Sequence, residues 1–369
     1  MGYKTYTCSI ARTCGGCEWL AVPYPIQLQR KQEWVESIFS DAIRQDGSLL
    51  RKIVGMPSEP KQYRNKAITP FAPGSHHHIR YGFYARGTHH IVPCSYCLVE
   101  NPQARKILTK VAKTAENIGL DAYDEDRRTG ILRYAIVRTG WKTNESLLTI
   151  VSSRRDIPKI KEFSHALHTI CPEITSAVQN VNSRHTNAIL GRESHILWGS
   201  GVMHDKLLGN VFEIGPQSFY QTNPIQTENL YRLAIEDVKE KNNTRILDAY
   251  CGTGTIGLCI ANHARDQGKK VQIVGIEQVA DAVFCAQRNA VANNLQTSCR
   301  FVRADATAYV DEAYRGGKAN HYDTVVLDPP RSGSTEAFMR GICKLAPSRI
   351  IYISCNPTTQ IRDLNILRY

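Results

Sequence analysis

The residue whose type and setting could do chemistry is Cys355, within Tyr352-Ile353-Ser354-Cys355-Asn356-Pro357. The apolar run Arg349 to Ile353 reads as a buried strand, and Asn-Pro forces a turn directly after the thiol. A thiol at the rim of such a strand stands where open α/β sheets place their reacting groups. The bland alternative is a structural cysteine, because free Cys is among the most buried residue types. Neighbours able to hold a nucleotide decide between the two.

They lie upstream. Ile246-Leu247-Asp248-Ala249-Tyr250 runs into Gly252-Thr253-Gly254-Thr255-Ile256-Gly257, a G-x-G-x-x-G turn between a strand and a helix. Glu277 follows at the end of the strand Val271 to Ile276, placed to accept hydrogen bonds from ribose hydroxyls. This fingerprint fits NAD and S-adenosylmethionine equally. The discriminating stretch is Tyr322 to Leu327, an apolar strand ending in Asp328-Pro329-Pro330-Arg331. Its prolines hold the loop rigid at the strand's carboxyl rim. Methyltransferases acting on planar bases often carry such a loop, and dehydrogenases do not need one. Amino-group methylators follow the prolines with an aromatic residue, so Arg331 argues against that class. A strand running from Arg300 to Asp305 presents the Asp305 carboxylate toward an adenine amino group. Pro216 to Asn223 mixes amides, Gln221 among them, with aromatics just before a helix starting near Pro224, a loop able to touch both donor and base.

A second constellation lies at the other end. Cys8, Cys14 and Cys17 form a C-x5-C-x2-C run, and Cys94 and Cys97 follow much later. Four converging sulfurs suit an iron–sulfur cluster or a structural zinc, and spacing does not choose between them. Twelve cysteines in a reducing compartment are not a disulfide framework. The runs His76-His77-His78 and His89-His90 read as solvated loops. Gln62-Tyr63-Arg64-Asn65-Lys66, then Phe71, Arg80, Tyr81, Phe83, Tyr84 and Arg86, interleave cations with rings. That mixture suits RNA, with cations on phosphates and rings on unpaired bases. An exposed basic strand pair with packed tyrosines is the competing reading.

The chain has 369 residues, 42% of them apolar, enough for two domains. A net charge of +12 and a pI near 9.1 point to a polyanion, nucleic acid first. Met1-Gly2-Tyr3-Lys4 leads into polar residues with no signal peptide and no membrane span, so the cytoplasm is the expected location.

The positioning elements follow from periodicity. Pro25 to Ile43 reads as an amphipathic helix carrying Leu28, Val35, Ile38, Phe39 and Ala42 on one face. Asn101-Pro102 opens a second helix that ends at Gly119. Ile131 to Thr139 and Ser146 to Val151 read as strands, Ile157 to Ile170 as a helix, and Ile174 to Val181 as further strand, an α+β module. The domain boundary is expected between Gly199 and Gly215, giving 1–205 as an α+β RNA-binding domain and 206–369 as a Rossmann-like α/β domain.

Taken together, these motifs resemble the 23S ribosomal RNA (uracil-5-)-methyltransferases, and more loosely the wider RNA 5-methyluridine methyltransferases. The carriers are the Cys8, Cys14, Cys17 run, Tyr63-Arg64-Asn65-Lys66, Gln217-Ser218-Phe219-Tyr220-Gln221-Thr222-Asn223, Asp248-x-Tyr250-Cys251-Gly252-x-Gly254, Asp328-Pro329-Pro330-Arg331 and Ser354-Cys355-Asn356-Pro357. The resemblance implies a [4Fe–4S] cluster on Cys8, Cys14, Cys17 and a fourth cysteine. Cys97 precedes the short apolar run expected there and fits better than Cys94. It implies S-adenosylmethionine contacts from Gln221, Tyr250, Glu277, Asp305 and Asp328, RNA contacts from Arg64 and Lys66, and Cys355 as nucleophile. A thiolate is what uracil C5 methylation needs, since C5 is too poor a nucleophile until a thiolate has added at C6. Two departures accompany the resemblance. The N-terminal oligonucleotide-binding barrel of some relatives is expected to be absent, as in the shorter members. The chain also stops at Tyr369, before the glutamate general base and closing strands of the family, so the expectation is either a C-terminally truncated fragment or a chain whose activity is lost after covalent addition. Asp363, the sole carboxylate after Cys355, is expected to be solvated. The readings that stand beside 23S RNA methylation are a tRNA uracil-C5 methyltransferase and a catalytically incomplete iron–sulfur RNA-binding protein.

Overall fold

The structure, a computed structural model, describes residues 8–186, 188–238, 243–317 and 321–368. Met1 to Lys4, the side chain of His77 and Tyr369 lie outside the described residues. Two compact units alternate along the chain: Met1–Gln27, Met56–Asp205 and Ile214–Ile225 form the first, and Leu28–Gly55, Lys206–Glu213 and Gln226–Tyr369 the second. A single cut at 205/206 therefore does not describe them. Ile214–Ile225 belongs to the first unit because the buried Arg138 guanidinium donates to the Ser218 carbonyl at 2.6 Å and the Asn65 amide to the Gln221 carbonyl at 3.2 Å. Leu28–Gly55 belongs to the second, where the Gln226 amide donates to the Val54 carbonyl at 2.9 Å. These ties are side chain to backbone across more than seventy residues, and they leave no periodic mark in the sequence.

Helix α1 spans Tyr24–Asp46. The first unit is then built on β1 (Lys66–Pro73), β2 (Ile79–Tyr84), β3 (Ile91–Pro93), α2 (Pro102–Ile118), β4 (Leu132–Thr139), β5 (Ser146–Ser152), α3 (Ile160–Ile170), β6 (Ser176–Val181) and β7 (Glu193–Trp198). Its strands make one sheet in the order β3-β2-β1-β4-β5-β6-β7, antiparallel except where β5 meets β6. Helix α2 starts where Asn101 accepts the Gln103 and Ala104 amides and Pro102 takes a position needing no N–H. It stops at Gly119, whose φ of 76° is left-handed. Between these caps Ile107, Leu108, Val111 and Ala115 are fully buried against Leu132, Ala135 and Ile150 of the sheet. Each large aliphatic side chain so buried contributes about 1.5–3 kcal/mol.

The chain continues through β8 (Met203–Leu207), β9 (Asn210–Ile214) and α4 (Pro224–Val238). The second unit then alternates strand and helix: β10 (Thr244–Ala249), α5 (Thr255–Asp266), β11 (Val271–Glu277), α6 (Ala280–Ala292), β12 (Cys299–Arg303), α7 (Ala306–Arg315), β13 (Thr324–Leu327), α8 (Glu336–Leu345), β14 (Arg349–Tyr352) and α9 (Pro357–Leu367). The five strands pair in parallel in the order β12-β11-β10-β13-β14. Leu247, Val325 and Leu327 are fully buried and pack with Phe338, Met339 and Ile342 of α8, which is why these strands read as unbroken apolar runs. Strand β14, expected to be buried, is the edge strand of the described sheet, and each of its residues is half-buried. No helix among the described residues is long and apolar enough to cross a membrane.

Candidate active site

The strand order of the second unit reverses at β10, and a crevice opens beyond the carboxyl ends of strands at such a switch point. Register sets what borders it. Ala249 lies opposite Ile276 and Leu327, and Leu327 opposite Tyr352, so Tyr250, Glu277, Asp328 and Ile353 leave the sheet at one level. Two residues further on is Cys355, and one strand beyond Glu277 is Asp305.

The glycine turn has the geometry a nucleotide needs. Gly252 and Gly254 take φ of 54° and 77°, and a Cβ on Gly254 would stand 2.6 Å from the Phe301 ring. The Gly252 N–H donates to Glu277 Oε2 at 3.2 Å and the Val279 N–H to Oε1 at 2.8 Å, which holds the Glu277 carboxylate at the rim. Tyr250, just before the turn, takes φ of 61°, a conformation that costs a bulky residue about 1–3 kcal/mol and concentrates at functional sites. Its hydroxyl accepts from Ser334 Oγ at 3.0 Å. Asp328 is half-buried, and burial lifts its carboxyl to about 6. Asp305 is exposed but committed. One oxygen caps α7 by accepting the Ala308 N–H at 2.9 Å, and the other accepts from the Gln278 amide at 2.5 Å.

Asp248 was not singled out by the sequence reading and is the most perturbed acid here. One carboxylate oxygen accepts the Gly257 N–H at 3.0 Å, and the other is buried without a hydrogen-bond partner. Burial, reinforced by the Asp328 charge, raises it to about 7. Its signal in the sequence is its place at the head of the Asp248-x-Tyr250-Cys251-Gly252-x-Gly254 motif, inside the strand before the glycine turn.

Cys355 is exposed. It stands in the turn before α9, where Asn356 caps the helix by accepting the Thr358 N–H at 3.1 Å. The partial positive charge of a helix N-terminus thus lies next to the thiol. Its side chain is therefore not sealed in hydrocarbon, as a buried structural cysteine would be. Helix α9 is fastened to the loop after Asp328: Asn356 Nδ2 and Thr359 Oγ1 both donate to the Arg331 carbonyl, at 3.4 and 3.3 Å. The strongest tie is Asp363, and here the expectation of a solvated carboxylate is overturned. It is fully buried. Its Oδ2 accepts the Ser334 N–H at 2.8 Å and the Tyr352 hydroxyl at 2.6 Å, while Oδ1 accepts Arg362 Nε at 2.8 Å. Arg362 also donates to the Ser332 carbonyl at 2.9 Å. A carboxylate is stable at such a depth because every lone-pair direction meets a donor.

In the first unit, Cys8, Cys14, Cys17, Cys94 and Cys97 line one pocket, all as free thiols. Among the described residues no three His, Cys, Asp or Glu side chains are gathered as a metal ion requires. The two candidates for a fourth ligand differ. Burial pushes both thiols up; for Cys97 the Val99 and Glu100 amides offset part of that, whereas Cys94 donates to the Tyr96 carbonyl at 3.0 Å and is pushed up to about 11. Arg64 borders this pocket. Lys66 lies directly opposite Arg138 across the β1–β4 pair, and burial together with that guanidinium pulls it down to about 8. Gln221 sits in the Ile214–Ile225 segment of the first unit, apart in the chain from the rim residues of the second.

Residues 203–369 match the tRNA (Uracil-5-)-methyltransferase family. An uncharacterized RNA methyltransferase of Staphylococcus aureus is 36% identical over 362 residues, 98% of this chain and 77% of that protein. One from Halalkalibacterium halodurans is 34% identical over 360 residues, 98% of this chain and 76% of its own length. The chain belongs to the RNA uracil-5-methyltransferase family. Among solved structures it is similar to Pyrococcus abyssi tRNA (uracil-54, C5)-methyltransferase in complex with S-adenosyl-L-homocysteine. The TM-score is 0.77 at 25% identity, covering 96% of this chain and 79% of that one. The second unit thus has the α/β fold of S-adenosylmethionine-dependent methyltransferases.

Proposed function

We propose that the protein methylates C5 of a uridine in 23S ribosomal RNA through a covalent bond from Cys355 to C6 of the base. The observation that carries this reading is an exposed thiol on the same sheet rim as Glu277 and Asp328. S-adenosylmethionine, when bound, supplies an electrophilic methyl group. Glu277 accepts its ribose hydroxyls, and Tyr250, Asp305 and Asp328 complete the contacts made by the second unit. Cys355 adds to C6 as thiolate, which places electron density on C5. After methylation a general base takes the C5 proton, the C6–S bond breaks and the sulfur leaves as thiolate, so it ends as it began. The base must be unstacked to reach it. Cys8, Cys14, Cys17 and Cys97 would hold a [4Fe–4S] cluster, since free thiols lining one pocket are the donors such a cluster takes. The cluster would brace the N-terminal loop.

The Pyrococcus neighbour supports a second reading in which transfer RNA is the substrate. Incubating the protein with S-adenosyl-[methyl-³H]methionine and either 23S RNA or bulk transfer RNA separates the two by where label enters. RNA carrying 5-fluorouridine, whose fluorine cannot leave as a proton does, should trap a denaturant-stable adduct that Cys355→Ala lacks. An adduct formed equally by Cys355→Ala removes the proposed nucleophile.

A further inference from the structure

Two carboxylates of the second unit stand close together beneath the glycine turn. Asp248 lies opposite Val326 across the β10–β13 pair, and Asp328 follows two residues later, so strand alternation turns both to one face. Asp248 is 1% exposed and Asp328 half-buried. The titratable groups facing Asp248 are Asp328, Cys251 in the turn, Cys259 of α5, Cys299 of β12 and Tyr231 of α4. Each of these ionises to an anion, so none of them neutralises a carboxylate at this place.

Asp363 shows what an ionised carboxylate at such depth requires, a donor at each oxygen. Asp248 has a donor at one oxygen only. Its Oδ2 accepts the Gly257 N–H at 3.0 Å, and its Oδ1 is buried without a hydrogen-bond partner. The glycine is needed for this contact, because a Cβ on Gly257 would stand 2.8 Å from Oδ2. Asp248 thus fixes the first turn of α5 while the chain leaves its charge uncompensated, a costly state unless a proton or a cation relieves it. Strand order indicates where a cation would lie. Glu277 ends β11 and Cys355 follows β14, with β10 and β13 between them. A donor held by its ribose at Glu277, with its methyl group turned toward the thiol, carries its sulfonium over the ends of the two strands that lead to Asp248 and Asp328.

We infer that Asp248 distinguishes the methyl donor from its spent form: its carboxylic acid gives up a proton when the sulfonium binds and regains one when methyl transfer leaves a neutral thioether. The inference rests on S-adenosylmethionine as the cofactor and adds to it a positioning residue that senses its charge. The protons balance. Binding breaks one O–H bond and sends the proton to solvent; loss of the positive sulfur lets the carboxylate take a proton back from solvent. S-adenosylhomocysteine has no positive sulfur, so it binds over the protonated acid and releases nothing. Burial and the Asp328 charge raise Asp248 to about 7, so the exchange falls near neutral pH. Where only the ionised form receives the sulfonium, affinity follows the ionised fraction, about 0.1 at pH 6 and about 0.75 at pH 7.5.

The test is isothermal titration of the full chain at pH 6.5 in phosphate and in imidazole, whose ionisation enthalpies differ, so that the heats count the protons released. S-adenosylmethionine should release about three quarters of a proton and S-adenosylhomocysteine none. Sinefungin, which carries an amine where the donor carries its sulfonium, should behave as the donor does. The donor should also bind roughly eightfold more tightly at pH 7.5 than at pH 6, with the thioether equal at both. Asp248→Asn should remove the proton release and the pH dependence together. The donor's own amino group titrates alike against both proteins and cancels in that comparison. If Asp248→Asn fails to fold by circular dichroism or binds neither ligand, the proton counts of the original protein decide. Equal proton release by donor and thioether, or release that persists in Asp248→Asn, overturns the role of Asp248 alone. An original protein that binds none of the three nucleosides overturns this role and the cofactor assignment beneath it.

Discussion

Removing the Asp363 carboxylate is the perturbation with the most calculable consequence. In Asp363→Ala the Ser334 N–H and the Tyr352 hydroxyl lose an acceptor at 2.8 and 2.6 Å in a fully buried place. Each buried donor left unpaired costs about 1–3 kcal/mol. Arg362 also loses its partner, but its side chain is 54% exposed and water replaces much of that bond. The sum is about 3–5 kcal/mol, the usual cost of breaking a buried charged contact. At roughly 2–4 °C per kcal/mol for a unit of this size, melting should fall by about 6–20 °C. Asp363→Asn retains one oxygen acceptor and should lose about a third of that. The local consequence is as specific as the global one. Arg362 and Asp363 together hold Ser332 to Ser334, and Ser334 holds the Tyr250 hydroxyl. The turn bearing Cys355 is tied to Arg331 of the same loop. Both variants should therefore alkylate Cys355 at altered rates with iodoacetamide and bind S-adenosylhomocysteine more weakly. Scanning calorimetry with mass-spectrometric mapping of the label reads both effects. An Asp363→Ala protein melting within about 1 °C of the original, a change of well under 1 kcal/mol, would refute the reasoning.

Gly254→Val should abolish cofactor binding by isothermal titration while leaving the first unit folded, because the new side chain begins 2.6 Å from Phe301 at a φ of 77°; unchanged affinity would show that the turn is not the cofactor's cradle. Asp248 yields a pH dependence whose sign is set by burial. Its folded value is raised to about 7 from an ordinary value of about 3.9, so its contribution to stability is fully present below that ordinary value and lost as pH rises toward 7. Asp248→Asn is neutral throughout, so its melting temperature relative to the original protein should rise between pH 4 and pH 7.5; a constant difference would mean the carboxylate is not penalised.

What the sequence made legible was whatever repeats at short range. The caps of α2 are local chemistry, Asn101 and Pro102 at one end and Gly119 at the other, and the structure has them where the pattern placed them. The alternation of strand and helix after Thr244 is periodic, and so the parallel sheet and the rim bearing Glu277, Asp328 and Cys355 followed from it. The interleaving of the two units was not legible, because it depends on Arg138 reaching the Ser218 carbonyl and Gln226 reaching Val54, contacts without a local signature. Asp363 failed for a related reason. On the helix Asp363 shares a face with Thr359, Gln360, Ile366 and Leu367, and the last two pack against the core, so the face is turned inward. A carboxylate there reads as solvated because its donors are not local. The donors that bury it come from Ser334 and Tyr352, on a different loop and a different strand. Gly333 carries a trace of this: it takes φ of 77°, and a Cβ there would meet Asp363 Oδ2 at 2.6 Å. A glycine one residue before a serine whose amide must point inward marks the loop's need for close approach. That requirement, rather than the polarity of α9, determines where the carboxylate goes.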